Sequence, residues 1–136
     1  VKAVIILRGA PGSGKSSLAR LFSRLGGPGF VAVVSADDYM TQGGTYCWTP
    51  ERLFAAHAQC QAAFERALAV QMPVIVIDNT NTEPKNFTKY LAQAVAAGYT
   101  SHVLVVENRH GGNNVHGCPV EAVARHRQRI IGSICP

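Results

Sequence analysis

The 136 residues predict an α/β fold, a mostly parallel sheet of about four to five strands with helices on both faces. Three observations carry that prediction. Short β-branched runs alternate with longer stretches whose apolar residues recur at helical spacing. A glycine-rich turn joins the first run to the first helical stretch, and acidic residues stand just past strand ends at Asp37 and Asp78. Residues 1–136 fit one compact domain and are too few for a second folded unit.

Lys2 to Leu7 is the first strand, and Gly9-Ala10-Pro11-Gly12-Ser13-Gly14-Lys15-Ser16-Ser17 follows it directly. From Gly9 to Ser16 the residues fit G-x-x-x-x-G-K-[ST], a phosphate-binding loop. Glycines let backbone N–H groups close on phosphate oxygens with no Cβ in the way. Lys15 is placed to reach the outer phosphates, and the Ser16 hydroxyl to ligate a Mg²⁺ that bridges them. The helix opening near Lys15 turns its positive end toward the same anion. Leu18, Ala19, Leu21, Phe22 and Leu25 give that helix its apolar face, and Gly26-Gly27 ends it.

Phe30 to Val34 is the second strand, closed by Ser35-Ala36-Asp37-Asp38-Tyr39. Ligands of open parallel sheets bind at the strands' C-terminal edge. One of the two aspartates could therefore accept a proton from a hydroxyl attacking a γ-phosphate, the alternative being a plain N-cap at Ser35 or Asp37. Thr41 to Trp48 reads as an irregular, aromatic substrate-side loop, where Trp48 could stack on a base or anchor the next helix. Thr49 caps that helix, Pro50 suits its first turn, and it runs to about Val70. Leu53, Phe54, His57, Cys60, Phe64, Ala67 and Leu68 are expected on its sheet-facing side, with His57 either a core histidine or, turned to the cleft, a substrate contact.

Pro73 to Asp78 is an unbroken apolar strand buried on both faces, and Asp78 is a Walker-B-type candidate for the Mg²⁺ shell. The polar loop Asn79-Thr80-Asn81-Thr82 favours a binding role, and Thr82 is expected to cap a helix from Glu83 to about Ala97. Thr100 to Glu107 forms a further strand. Asn108 to Gly117 reads as a mobile loop, and the region from about 108 to 127 as a lid. The last helix runs from Pro119 to about Ile131. Val120, Val123, Ala124, Ile130 and Ile131 share its apolar face, with Arg125 and Arg129 opposite. Arg127 falls in the apolar sector, where it either reaches solvent along its stem or meets a phosphate or acid in the cleft.

A net charge of +5 favours a polyanionic partner, though no long Lys/Arg block demands a nucleic acid. Cys47, Cys60, Cys118 and Cys135 lack zinc-site spacing, as do the five histidines, so free thiols and no zinc are expected. The absence of an 18-residue apolar run or a signal pattern predicts a soluble cytoplasmic chain with no membrane partner.

With these pieces located, the sequence resembles the polynucleotide-kinase-like and zeta-toxin-like branch of P-loop kinases. The resemblance rests on Gly9 to Ser16, on Ser35-Ala36-Asp37-Asp38-Tyr39, on Ala56-His57 with Cys60, on Asp78-Asn79-Thr80-Asn81, and on His116-Gly117-Cys118-Pro119 followed by Arg125. It implies a three-layer P-loop NTPase, nucleoside-kinase-like fold, with ATP as donor (GTP not excluded), Mg²⁺ as cofactor, and phosphoryl transfer to a hydroxyl. By resemblance Asp37 is the general base, Lys15 and Ser16 hold the β/γ-phosphates and Mg²⁺, and Asp38, Thr80 and Asn81 lie on the substrate side. The implied acceptor is DNA or RNA, at a 5′-hydroxyl or a hydroxymethylated base, with a nucleoside or other small molecule as the alternative. The sequence departs from the family at Met40, where a related kinase has a phosphate-gripping arginine, and at Gly112-Asn113-Asn114, where a lid arginine is usual. Arg109, Arg125 or Arg127 is left to take the arginine role.

Overall fold

The computed structural model describes residues 1–108 and 116–134. Its sheet has four parallel strands in the order β2-β5-β1-β6, namely β1 (Ala3–Arg8), β2 (Val31–Val34), β5 (Val74–Asp78) and β6 (Thr100–Val105). The expected parallel α/β fold is therefore the observed one.

Alternation along β1 and β5 divides the core. Val4, Ile6, Ile75 and Ile77 face α2 (Pro50–Ala69) and α3 (Thr88–Ala96), where Ala56, Cys60, Phe64, Tyr90 and Ala94 meet them. Ile5, Leu7 and Val76 face α1 (Lys15–Gly26), packing on Leu18, Ala19 and Phe22. Each fully buried aliphatic side chain contributes about 1.5–3 kcal/mol by leaving water. The central strands accordingly need no polar alternation.

In-register pairing of β1 with both neighbours, Leu7 opposite Asp78 and Arg8 opposite Val105, brings the strand ends to one edge. The loops after β1, β2 and β5 all open there. Thr49 caps α2 as expected, accepting from Arg52 N at 3.1 Å. Among the described residues no helix is long and apolar enough to cross a membrane. Cys47, Cys60 and Cys118 are free thiols, while Cys135 lies outside the described residues.

Several expectations are corrected. Thr41 to Trp48 is not irregular, because Gly43 and Gly44 adopt positive φ and turn β3 (Thr41–Gln42) back onto β4 (Thr45–Tyr46). Trp48 stays 59% exposed, so it anchors no core. Phe54 is 80% exposed, since the buried stripe of α2 is Ala56, Cys60, Phe64 and Ala67 and Phe54 points away from it. His57 sits on the exposed side of the same helix.

The helix expected from Glu83 breaks into a 3₁₀ turn, Pro84–Asn86, and α3. Glu83 rather than Thr82 caps that turn, exchanging hydrogen bonds with Asn86 in a capping box. In α4 (Val120–Ile134) the inward line is Val123, His126 and Ile130, while Val120 and Ile131 are exposed. His126 takes the inward position expected of Arg127, which lies exposed. A wheel drawn on apolar residues alone misses the interior histidine, whose ring is apolar enough to pack there.

Candidate active site

The loop after β1 is held open by its own backbone. Gly12 and Gly14 adopt φ of 80° and 102°, which side-chain-bearing residues resist. Gly9 has a different reason to be glycine. A Cβ there would fall 2.6 Å from the Val106 carbonyl oxygen and closer still to Ser13 Oγ. Its N–H donates to the Thr80 carbonyl at 3.0 Å, so the loop is seated between the ends of β5 and β6.

Gly14 gives α1 no side-chain cap, which leaves the first-turn N–H groups without a competitor for an anion. Lys15 is buried and its ammonium donates to the Ala10 carbonyl at 3.2 Å, folding across the mouth of the loop. Burial lowers its pKa, while Asp78 and then Asp37 oppose that shift. The Ser16 hydroxyl is near enough to the Asp78 carboxylate to favour its charged form. Asp78 Oδ1 and Ser13 Oγ are buried without a protein partner. Burial raises the Asp78 carboxyl above the usual carboxylate range. Ala10 and Pro11 shape the loop, and Ser17 is exposed and accepts from Arg20.

Asp37 stands on a 3₁₀ turn, Ala36–Tyr39, placed by two side-chain braces. Ser35 Oγ accepts from Asp37 N at 3.2 Å and donates to the Asp78 carbonyl at 2.9 Å, and Asn79 Oδ1 accepts from Ala36 N at 2.8 Å. Ser35 is thus the N-cap foreseen as the alternative reading, and the same turn presents Asp37 to the cleft. Tyr46 Oη donates to Asp37 Oδ1 at 3.2 Å, and His116 Nε2 lies 3.3 Å from Oδ2. The Tyr46 and His116 rings pack at 4.4 Å between centroids. Burial and the Asp37 charge push the Tyr46 hydroxyl up to about 12, so it stays a donor.

The other expected residues are placed unequally. Asp38 is exposed, its carboxyl raised by partial burial and then by Asp78 and Asp37. Asn81 is buried, and its amide donates to the Leu7 and Asn79 carbonyls. Thr80 contributes a backbone carbonyl to the seat of Gly9. His57 borders an open groove of about 590 Å³ with Phe54, Lys85 and Lys89, and partial burial lowers its pKa against the pull of Asp37. Arg127 lines a cavity of about 300 Å³ beside the loop, with Ala10, Ser13, Val105, Ile130 and Ile134. Arg125 is exposed, and Arg109 lies outside the described residues.

Three contributions escape a linear reading. Tyr46 and His116 meet Asp37 only through the hairpin and the approach to α4. Their one sequence signal was an aromatic loop and a His-Gly pair. Arg8, buried at the end of β1, donates to the Asn81 and Thr82 carbonyls and to Ser133, and its guanidinium covers the Phe87 ring. It ties β1 to α4, where a strand-end arginine ordinarily suggests solvent.

A phosphate-type loop on a parallel sheet, with an aspartate closing the neighbouring strand, defines the class: a P-loop nucleotide-binding fold of the kinase-like kind. The chain belongs to the AAA domain family, whose model matches residues 4–110. It is 31% identical over 140 residues to human NEDD4-binding protein 2, a match covering 94% of this chain and 8% of that protein. A chain of the Pnkp1/Rnl/Hen1 RNA repair complex superposes with a TM-score of 0.65 at 21% identity, covering 98% of this chain and 45% of that one. A second structure of the Pnkp1/Rnl/Hen1 complex gives 0.60 at 24%, covering 91% and 38%. The APS kinase CysC of Mycobacterium tuberculosis gives 0.56 at 14%, covering 98% and 96%. The chain therefore spans less than half of its relatives in the first three comparisons. The family resemblance read from the motifs stands.

Proposed function

We propose that the chain is an ATP- and Mg²⁺-dependent kinase domain that transfers a γ-phosphoryl group to a hydroxyl of DNA or RNA. One observation carries the reading: Ser35 ties the turn bearing Asp37 to the end of the strand bearing Asp78, which pairs with the strand leading into the Lys15 loop, so a base candidate, a metal-ligand candidate and a phosphate-binding cation share one edge of the sheet.

In that cleft the N–H groups of Gly12 to Ser16 and the Lys15 ammonium hold the β- and γ-phosphates. The fit to Mg²⁺ rests on the donors present: a hydroxyl and a carboxylate with one buried, unpartnered oxygen make the hard oxygen set this cation takes. Ser16 and Asp78 would hold Mg²⁺, which would supply positive charge to offset that of the phosphates. Asp37 accepts the proton of the attacking hydroxyl. Arg127, at the cavity mouth, supplies positive charge, with Arg125 and Arg109 as further candidates. The cavity lined by Ala10, Val105, Ile130 and Ile134 suits a flat nucleobase, adenine or guanine.

The net charge of +5 and the likeness to a chain of an RNA repair complex support a nucleic-acid acceptor, reached at a 5′-hydroxyl or a hydroxymethylated base. Met40 is fully buried, so it cannot grip an acceptor phosphate and leaves that role elsewhere.

The test is transfer of labelled γ-phosphate to a panel of 5′-OH RNA, 5′-OH DNA, hydroxymethylated DNA and free nucleosides. Label is expected on one polymer and lost by about 10²-fold or more in Asp37→Asn with ATP binding kept. Label on nucleosides alone makes it a small-molecule kinase, and ATP binding with no acceptor labelled makes it a nucleotide-switched binding module.

A further inference from the structure

Asp37 is a peculiar place for a general base to be left to itself. Its side chain is 45% exposed and it rides on a single 3₁₀ turn, so nothing in its own segment fixes which way the carboxylate faces. A base that must meet a hydroxyl in line with a phosphorus atom needs its orientation held to about 0.5 Å. The restraint comes from two other segments. Tyr46, on the short hairpin, donates to one carboxylate oxygen at 3.2 Å; His116, before α4, reaches the other at 3.3 Å.

We propose that Tyr46 and His116 form a positioning clamp on Asp37, setting the carboxylate plane that the acceptor hydroxyl meets. The proposal rests on the reading of Asp37 as the base. Each carboxylate oxygen offers about two acceptor sites, so a donor on each fixes the plane and still leaves a site for the hydroxyl. The two rings also brace each other, stacked at 4.4 Å with planes tilted 32°, so neither is a free rotor. High proton affinity at Tyr46 keeps its end of the clamp a donor at any working pH. Because the His116 side chain is 29% exposed, it can be replaced without opening a core cavity.

Both residues act through Asp37, which separates the clamp from an incidental surface contact. His116→Ala and Tyr46→Phe are expected to lower kcat by roughly 10- to 100-fold, the loss of one hydrogen bond to a charged group. KM for ATP should not change. His116→Gln, which keeps an N–H near the same place, is expected to recover a large part of the rate. Combined with Asp37→Asn, His116→Ala should cost no more than about a further factor of two. Losses that multiply, a raised KM for ATP, or a Gln variant no better than Ala would overturn the clamp.

A second measurement does not depend on turnover. In protein labelled with ¹⁵N-histidine, the His116 ring nitrogen signals are expected to shift in Asp37→Asn and in Tyr46→Phe. If they shift while no acceptor is phosphorylated, the contact of Tyr46 and His116 with Asp37 stands, but the kinase reading falls and takes the positioning role with it. If phosphoryl transfer is found and they do not shift, the clamp alone falls.

Discussion

In the proposed function one unbroken stretch, Gly9 to Ser17, supplies the phosphate-facing half of the site, largely through backbone groups, with Asp78 the chief addition from elsewhere. The half proposed to face the hydroxyl is assembled from side chains of three separated segments, which bring Asp37, Tyr46 and His116 together. Phosphate is the same ligand in every such protein, and a backbone cradle with a helix start recognises it regardless of neighbouring side chains. An acceptor hydroxyl has no such generic signature. Its half of the site depends on what the tertiary fold places beside the base, and so can change while the loop stays the same.

Lys15→Ala gives the largest effect expected on the phosphate half. Transfer should fall by about 10²–10³-fold, since a charge meeting the transferring group is lost. The backbone cradle survives, so nucleotide binding should weaken without vanishing. Folding should be undisturbed, because burial already disfavours the Lys15 charge. Circular dichroism with nucleotide titration checks both; a variant that unfolds would make this half as dependent on side chains as the other.

Gly9→Ala asks how tightly the cradle is built. A methyl group driven against the Val106 carbonyl and Ser13 is expected to cost about 1–3 kcal/mol in denaturant unfolding. A neutral result would show that the end of β6 yields to the loop.

Asp78→Asn separates stability from function by pH. Burial raises the Asp78 carboxyl, partly offset by Ser16 and then Lys15. A carboxyl whose folded pKa is raised contributes stability that is fully present below its unfolded pKa and lost as pH rises through the folded value. Without metal, the Asn variant should therefore match or exceed the parent Tm near pH 7 and lose that advantage toward about pH 4. Mg²⁺ stabilisation should be diminished in the variant. Thermal melts across pH, with and without Mg²⁺, decide it; a lower Tm at pH 7 in chelator would mean the carboxylate is held by more than Ser16.

Phe54→Ala should have the smallest effect, within about 0.5 kcal/mol of the parent stability, because the ring is 80% exposed. Cys60 and Phe64 on the same helix are fully buried, so a large loss at Phe54 would contradict the assigned face of α2.

What could be read along the chain were features set by local chemistry. The unbroken apolar run before Asp78 announced a strand buried on both faces, and Ile75, Val76 and Ile77 are all fully buried. Glycines at Gly12 and Gly14 announced a turn that their positive φ values make. Thr49-Pro50 announced a helix start. Faces and partners were less legible. Phe54 and Ile131 fit an apolar wheel yet face solvent, because which side of a helix is covered depends on the neighbour it packs against. That Asn81 braces the end of β1 was not legible from its place in a polar loop.

The sequence by itself determined the phosphate-binding loop, the parallel α/β order and the aspartates at the strand ends. Each of these follows from backbone conformation and period within a few residues. Only the tertiary structure decided that Tyr46 and His116 close on Asp37, that Arg8 latches the end of β1 to α4, and that His126 rather than Arg127 turns inward. Those contacts join residues with no local relation, so their geometry exists only once the sheet and its helices have brought the segments together.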